Sequence, residues 1–266
     1  TEEVALVLKI CSEFVQPVVI QGGLTGLAGG ATPLPGEIAM SLERLSGIEE
    51  VDTDSMTVTA MAGAPLQVIQ EAAENAGFLL PLDFGARGSC HIGGAIATNA
   101  GGNQVIRFGM TRNLVLGLEA VLADGTVISS MNKMLKNNAG YDLKQLFIGT
   151  EGTLGVITRA VLRLFPRLSS RCTALCAVES FAQSVKLLRE TQIKLGSSIS
   201  AYEVMWSPYF DRVIGHIETL RSPFEKTFPL YVLIETEGSE QNMDSQQFEE
   251  VLGSALAKNF IEDAVI

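Results

Sequence analysis

The stretch LDFGARGSCHIGGAIATNAGG, residues 82–102, contains six glycines and four alanines. It offers backbone groups, two small hydroxyls (Ser89 and Thr98) and the amide of Asn99 with little side-chain bulk, so its backbone can approach a large planar ligand. Exposed turns of a β-sandwich are also rich in glycine, but they seldom carry apolar residues such as Ile92 and Ile96. The stretch therefore predicts a segment that lines a ligand.

Two further glycine segments lie on either side of it in the chain. GGLTGLAGG (22–30) directly follows the short apolar run PVVI, and GTEGTLGVIT (149–158) leads into a second apolar run. Taken alone, the first loop is equally consistent with a plain structural turn. Three such segments in one region instead predict an elongated cofactor that is contacted along its length.

The first loop does not match the common phosphate-binding motifs. A Rossmann fingerprint opens a helix, but the residues that follow here, ATPLPGE, contain two prolines that prevent a helix from starting. A P-loop needs a lysine after its glycines, and none follows. Between Lys9 and Arg87 the only cationic side chain is Arg44, so a phosphate bound by this loop would be held by backbone amides.

Composition excludes several classes of protein. The chain has 266 residues, of which 47% are hydrophobic and 18% charged, so it can bury a large core and is not disordered. Its formal charge of -11, without a cluster of cations, argues against nucleic acid and anionic membranes as partners.

No apolar run approaches the ~18 residues of a membrane span, so we expect a soluble protein. Four cysteines are too few for a disulfide scaffold, and two histidines make a histidine-built metal site in this chain improbable.

Periodicity predicts a mixture of helices and strands, and their pattern differs between the two parts of the chain. Up to about residue 165 we expect a helix capped by Thr1, a strand at 17–20, an extended run at 37–42, a strand at 56–62, a helix from Pro65 to Gly77, a hairpin around Asp124-Gly125, a short helix at 142–148 and a strand at 155–165. Beyond it, strands and helices alternate in a βαβ-like pattern: 172–178, 180–195, 199–205, 208–218, 230–236 and 244–258. This change in the pattern of helices and strands predicts a domain boundary near Leu168.

Long ordered motifs in this chain resemble the FAD-linked oxidases of the vanillyl-alcohol oxidase superfamily, and within it the branch that acts on D-2-hydroxy acids. The motifs are GGLTGLAGG, PLDFGARGSCHIGGAIATNAGG, LGLEAVLADGTV, NAGYDLKQLFIGTEGTLGVIT, SAYEVM and YVLIETEGS. The last two separate this branch from a cell-wall-precursor reductase and from the flavin subunit of a molybdenum hydroxylase.

The resemblance implies an α+β fold with two domains. Residues 1–168 would form a two-part FAD-binding domain of the PCMH type that lacks its N-terminal strands. Residues 169–266 would form the first part of a substrate (cap) domain, with an antiparallel sheet covered by helices. We therefore expect the chain to be truncated at both ends and to be inactive by itself.

The resemblance also assigns cofactor contacts. The first segment would wrap the pyrophosphate, the second would line the flavin and its ribityl chain, and the third would complete the adenine and ribityl side. The residues concerned are Gly22, Gly23, Leu24, Thr25, Gly26, Leu27, Pro81, Gly85, Ser89, Ile92, Gly93, Gly94, Thr98, Asn99, Gly102, Glu151, Gly152, Gly155 and Ile157. Three positions depart from the family: Leu24 replaces Asn or Gly, Ala95 replaces Asn, and Asn138-Ala139 replaces Asp/Asn-Thr.

The implied activity is oxidation of a D-2-hydroxy acid, with D-2-hydroxyglutarate as the first choice, by hydride transfer to flavin N5 of a non-covalent FAD. D-lactate and glycolate are the alternatives, as is a non-catalytic, FAD-binding electron-transfer subunit. Electrons would pass to a protein such as an electron-transfer flavoprotein, or to a quinone. Catalytic residues, and a divalent metal such as zinc, would belong to a region outside these residues. We expect no metal on this chain, a bacterial cytoplasmic or mitochondrial matrix location, and a homodimer as one assembly to test.

Overall fold

The computed structural model describes residues 1–266, which divide into two units. One unit consists of Thr1–Gly102 and Gly109–Arg167, and the other of Asn103–Phe108 and Leu168–Ile266. The chain is a mixture of helices and mainly antiparallel strands, which is the expected α+β class. None of its helices combines the length and the apolar character needed to cross a membrane.

The elements of the first part of the chain are α1 (Glu2–Glu13), β1 (Val18–Gln21), β2 (Ile38–Ser41), β3 (Ile48–Asp52), β4 (Thr57–Met61), α2 (Leu66–Asn75), β5 (Phe78–Leu79), α3 (Ile92–Ala97), α4 (Val105–Phe108), α5 (Thr111–Leu114), β6 (Val115–Val121), β7 (Val127–Ser130), α6 (Lys144–Phe147), β8 (Val156–Arg163) and β9 (Phe165–Pro166). The short helix α4 belongs to the second unit.

An antiparallel five-stranded sheet forms the centre of the first unit, in the order β3-β4-β8-β6-β7. The sequence of strand β4, TVTAM, alternates polar and apolar residues, which is typical of a strand with one exposed face, but its first four residues are all buried. On one face, Val58 lies in the same core as Ile92 and Ile96 of α3 and Ile69 of α2. On the opposite face, Thr57 and Thr59 are buried as well. The core therefore reaches directly into the 82–102 stretch.

Helix α2 forms because Leu66, Ile69 and Ala73 recur on one face and are fully buried. Pro65, expected as the first helical residue, is instead the N-cap with an extended conformation. Gly77 follows the helix with a φ of +84°, where a residue without Cβ is favoured. Thr1 precedes α1 as expected, but its hydroxyl makes no capping bond and donates to Glu119.

The second unit contains β10 (Ser170–Val178), α7 (Phe181–Leu195), a 3-10 turn at Gly196–Ser198, β11 (Ile199–Trp206), α8 (Ser207–His216), β12 (Leu230–Gly238), α9 (Gln241–Ala257) and β13 (Asp263–Val265). The strand order is β11-β12-β10-β13, and all neighbours are antiparallel. Since β10 and β11 both run antiparallel to the strand between them, they run parallel to each other and are connected by α7. This arrangement is a split βαβ unit of the ferredoxin-like kind.

The core of the second unit lies between the sheet and helices α7 and α9. Cys172 and Cys176 point to the same face of β10, as their spacing predicts, and both are buried free thiols. Burial raises the pKa of the Cys176 thiol to about 12, so this sulfur stays protonated and behaves as a small apolar side chain.

Candidate cofactor-binding site

The first glycine loop connects two parallel strands, β1 and β2, without a helix. Parallel neighbours usually need a crossover helix, so the segment 22–37 serves as the crossover itself. Two side-chain bonds fix its ends: Gln21 Nε2 donates to the carbonyl of Ala31 (2.8 Å) and Gln16 Nε2 to that of Gly36 (2.6 Å). The absence of a helix here, predicted from the two prolines, is confirmed.

The first loop lies against the second glycine segment. A Cβ placed on Gly23 would fall 1.9 Å from the carbonyl oxygen of Ser89, so only glycine allows the two backbones this close. At Gly22 a Cβ would lie 3.6 Å from the Cβ of His91 and 3.9 Å from Gly94. These contacts bring the predicted pyrophosphate residues and the predicted flavin residues together.

The third segment meets both of the others. The Glu151 carboxylate would be 2.7 Å from a Cβ on Gly30 of the first loop. Its backbone N–H donates to the carbonyl of Ala97 in the second segment, at 2.9 Å. A Cβ on Gly152 would be 3.3 Å from Ile20, the residue that leads into the first loop. The three glycine segments therefore converge within the first unit.

Two contrasting groups occur among the glycines of these segments. One group is packed against the chain itself: a Cβ would lie 2.6 Å from the Cβ of Ala62 at Gly93, 2.0 Å from the carbonyl oxygen of Asp83 at Gly102, and 2.9 Å from that of Val121 at Gly155. The other group, Gly26, Gly85 and Gly94, has nothing within 4 Å and no positive φ. Neither packing nor backbone conformation explains glycine in this second group, and open space in front of the backbone is what a bound ligand needs.

The side chains of several predicted site residues are buried in the core or make hydrogen bonds within the chain. The side chains of Ile92 and Ile157 lie in the core, at 0% and 4% exposure, so only their backbones can face a ligand. Thr98 Oγ1 donates to the carbonyl of Gly94 (3.0 Å), and Asn99 Oδ1 accepts from the backbone N–H of Arg112 (2.9 Å). Pro81 is buried, whereas Gly85 and Ser89 are exposed.

Leu24 adopts a φ of +54° and exposes 63% of its surface. The family resemblance places Asn or Gly at this position, and both tolerate the left-handed region better than leucine. The backbone geometry thus gives a physical reason for the family's preference, and leucine carries strain here.

One buried polar atom at the meeting point of the segments has no partner in the chain, Nδ1 of His91. An unpaired buried nitrogen costs free energy, so a ligand oxygen in this region would suit it. The neighbouring Cys90 is buried, and burial raises the pKa of its thiol. A protonated thiol is a poor nucleophile, so Cys90 is ill suited to covalent attachment of a cofactor.

A cavity of about 480 Å³ lies beside this meeting point. Its walls come from α1, β1 and the turn before β8, and include Leu8, Val18, Ile20 and Leu154. Of the predicted site residues it touches only Gly152 and Gly155. The cavity therefore does not coincide with the place where the first and second segments meet.

Residues 1–130 match the model of an FAD-binding domain, and residues 167–266 match that of the C-terminal domain of FAD-linked oxidases. The chain belongs to the FAD-linked oxidases. The FAD-binding match supports FAD as the cofactor of this FAD-linked oxidase, and the convergent glycine segments, the open glycines and the unpaired His91 nitrogen are compatible with a diphosphate-containing ligand.

Curated relatives of this FAD-linked oxidase include mitochondrial D-2-hydroxyglutarate dehydrogenases. It is 40% identical to the one from Arabidopsis thaliana over 266 residues and 43% identical to the one from Bos taurus over 260 residues. It is also 39% identical over 266 residues to a putative D-lactate dehydrogenase of Schizosaccharomyces pombe. The matches cover 100%, 96% and 100% of this chain but 48%, 47% and 50% of those proteins. The chain thus spans about half the length of these relatives.

A solved structure of alkyldihydroxyacetonephosphate synthase shares the fold of this FAD-linked oxidase, with a TM-score of 0.76 and 21% identity. The match covers 99% of this chain and 49% of that one. Sequence reasoning missed two features of the site, the unpaired nitrogen of His91 and the hydrogen bonds of Arg112 to Asn99, Gln145 and Ile148. No local pattern marks either, because each depends on what other segments bring near.

Proposed function

We propose that this chain binds FAD without a covalent bond and forms part of a dehydrogenase that oxidises a D-2-hydroxy acid, with D-2-hydroxyglutarate as the first choice. The observation that carries the proposal is the convergence of three glycine segments, in two of which some glycines face open space. The names of the relatives from Arabidopsis thaliana and Bos taurus support the substrate.

The cofactor would be held chiefly by backbone groups. In this proposal residues 22–27 hold the diphosphate with their amides, since no lysine or arginine occurs in the first loop. Residues 81–102 line the flavin side, with Gly85 and Gly94 giving it room, and residues 151–157 border the first loop. Of the residues expected to contact the cofactor, Ile92 and Ile157 would do so through their backbones alone, because their side chains are in the core.

Bound FAD would supply the redox chemistry by accepting a hydride from C2 of the hydroxy acid. The share of this chain is to bind, orient and partly shield that group. A carboxylate substrate needs Arg or Lys partners, and removal of the hydroxyl proton needs a base or a metal. We assign none of these roles to a residue of this chain, and we propose that the longer protein provides them, with zinc as a candidate metal.

We further propose residues 1–168 as the FAD-binding domain and 169–266 as the first part of the substrate domain. Electrons would leave to an electron-transfer protein or a quinone, and a homodimer is one assembly to test. We also propose a mitochondrial matrix or a bacterial cytoplasmic location; the names of the plant and bovine relatives call those proteins mitochondrial, which supports the mitochondrial option.

In the experiment, the full-length protein is mixed anaerobically with D-2-hydroxyglutarate, D-lactate or glycolate in separate cuvettes. Reduction of the flavin is monitored as the loss of its absorbance near 450 nm. We expect D-2-hydroxyglutarate to bleach the flavin fastest. Faster bleaching by D-lactate would favour the second candidate, to which the relative from Schizosaccharomyces pombe points. A flavin that none of the three bleaches would contradict the dehydrogenase proposal while leaving FAD binding in place.

A further inference from the structure

Arg112 makes an unusual set of hydrogen bonds for an arginine outside any motif. Its Nη1 donates to the backbone carbonyl and to the side-chain Oε1 of Gln145, both at 2.8 Å, and its Nη2 donates to the carbonyl of Ile148. The ion pairs of the chain do not include Arg112, so no carboxylate neutralises its charge directly. The guanidinium is therefore used to bind the backbone at and just after helix α6.

The backbone around Arg112 holds the end of the second glycine segment. The N–H of Arg112 donates to Asn99 Oδ1 at 2.9 Å. The neighbouring Thr111, which is fully buried, donates to the carbonyl of Ala100 with its N–H (3.0 Å) and its hydroxyl (2.7 Å). Asn99 itself has a φ of +47°, a conformation that needs support from its surroundings.

The same place is where the second and third segments touch. The N–H of Gly149 donates to the carbonyl of Ile96 (3.2 Å) and that of Glu151 to the carbonyl of Ala97 (2.9 Å). A Cβ on Gly149 would lie 3.4 Å from both Arg112 Nη2 and the Cβ of Asn99. Arg112 thus binds both sides of this contact. Its backbone N–H binds Asn99, and its guanidinium binds Gln145 and Ile148, which lead into the third segment.

We propose that Arg112 is a positioning residue for FAD, which holds the second and third glycine segments in the relative placement that the cofactor requires. The inference rests on the proposed FAD function. Arginine suits this role because its planar group presents five donors in a fixed geometry and can bind two carbonyls at once. Lysine offers a compact charge without that fork, so it can replace only part of the interaction.

The test compares Arg112→Ala and Arg112→Lys with Arg159→Ala in the full-length protein. Arg159 is a matched control because it pairs with Glu49 and Glu119, and makes no hydrogen bond to the glycine segments. FAD affinity is measured by quenching of flavin fluorescence on addition to apoprotein. Thermal unfolding of the apoprotein records the general loss of stability of each variant.

We expect Arg112→Ala to raise the Kd for FAD by ~10-fold or more, Arg112→Lys to raise it less, and Arg159→Ala to leave it within about twofold. Millimolar guanidinium should restore part of the affinity of Arg112→Ala but not change that of wild type. Hydrogen exchange at the amides of Gly149 and Glu151 should be faster in apo Arg112→Ala than in apo Arg159→Ala.

An unchanged Kd and unchanged exchange in Arg112→Ala would overturn the positioning role while leaving FAD binding intact. If Arg112→Ala does not fold, Arg112→Lys decides the matter: affinity equal to wild type would overturn the role. Wild-type protein that binds no FAD would instead overturn the proposed function and this inference with it.

Discussion

Individual glycines of this chain serve different purposes, although the sequence shows only that they cluster. Gly23 and Gly93 are required by close approach of the chain to itself, whereas Gly26, Gly85 and Gly94 face open space. The clustering predicted three segments that act together, and the fold does bring these three segments into contact. It could not separate packing glycines from those that face open space, because that distinction depends on the distance to residues far away in sequence.

Two adjacent glycines of α3 provide a matched pair of variants. Gly93→Ala should clash with Ala62 and lower the free energy of unfolding by about 1–3 kcal/mol. Gly94→Ala meets no atom and should leave stability unchanged or raise it by up to ~1 kcal/mol, because alanine is the better helix former. FAD affinity should fall for Gly94→Ala despite its intact fold. Thermal unfolding of apoprotein and an FAD titration measure the two effects, and undiminished FAD binding by Gly94→Ala would count against a ligand in front of it.

Leu24 is the second test at the scale of single residues. Its φ of +54° is strained for leucine, so Leu24→Gly should raise the free energy of unfolding of apoprotein by about 0.5 kcal/mol, after the greater entropy of unfolded glycine is subtracted. Leu27→Gly is the control, since Leu27 is exposed in the same loop but has no positive φ. Equal losses of stability in both variants, measured by urea unfolding, would show that Leu24 is not strained.

At the scale of elements, local chemistry predicted some structures well. The hairpin of β6 and β7 was predicted because two apolar runs flank Asp124-Gly125, and Gly125 does adopt a φ of +85° in its turn. Strand β3 was missed because its sequence, IEEVD, has no regular apolar alternation. Helix α3 was missed because IGGAIA has two poor helix formers, and bonds from Ile92 and Gly93 to the carbonyls of Ala64 and Ala62 secure its start.

The β6–β8 pair carries a buried carboxylate with a predictable pH effect. Burial alone would raise the pKa of Glu119, but hydrogen bonds from Thr1 and Thr158 and the charge of Arg159 outweigh it, and the pKa lies below the ordinary 4.5. A carboxylate with a lower pKa in the folded state stabilises the fold above its unfolded pKa, and that stability disappears as the pH falls.

Glu119→Gln should therefore lose more stability relative to wild type at pH 7 than at pH 3, because pH 3 lies below the unfolded pKa and part of the stabilisation by the wild-type carboxylate is absent there. Urea unfolding at the two pH values measures the difference. Glu43→Gln serves as the control, because Glu43 is exposed and its carboxylate accepts no hydrogen bond from another side chain. A penalty for Glu119→Gln that is the same at both pH values would contradict the expected linkage.

At the scale of the whole molecule, periodicity predicted the alternation of strands and helices after residue 168 but not its topology. A βαβ-like pattern usually indicates a parallel sheet, yet here β12 inserts between β10 and β11 and every neighbouring pair is antiparallel. Strand order follows from long-range pairing, which local periodicity does not encode. The antiparallel sheet was anticipated only through the family resemblance.

The central claim is that three converging glycine segments hold FAD without a covalent bond. Its most direct test is a titration of the full-length apoprotein with FAD, followed by acid precipitation and separation of the protein from free flavin. We expect saturation at one FAD per chain and recovery of all the flavin in the supernatant. Two results would contradict the claim. One is a titration that does not saturate up to ~1 mM FAD, which corresponds to a binding free energy weaker than about -4 kcal/mol. The other is flavin that stays with the precipitated protein.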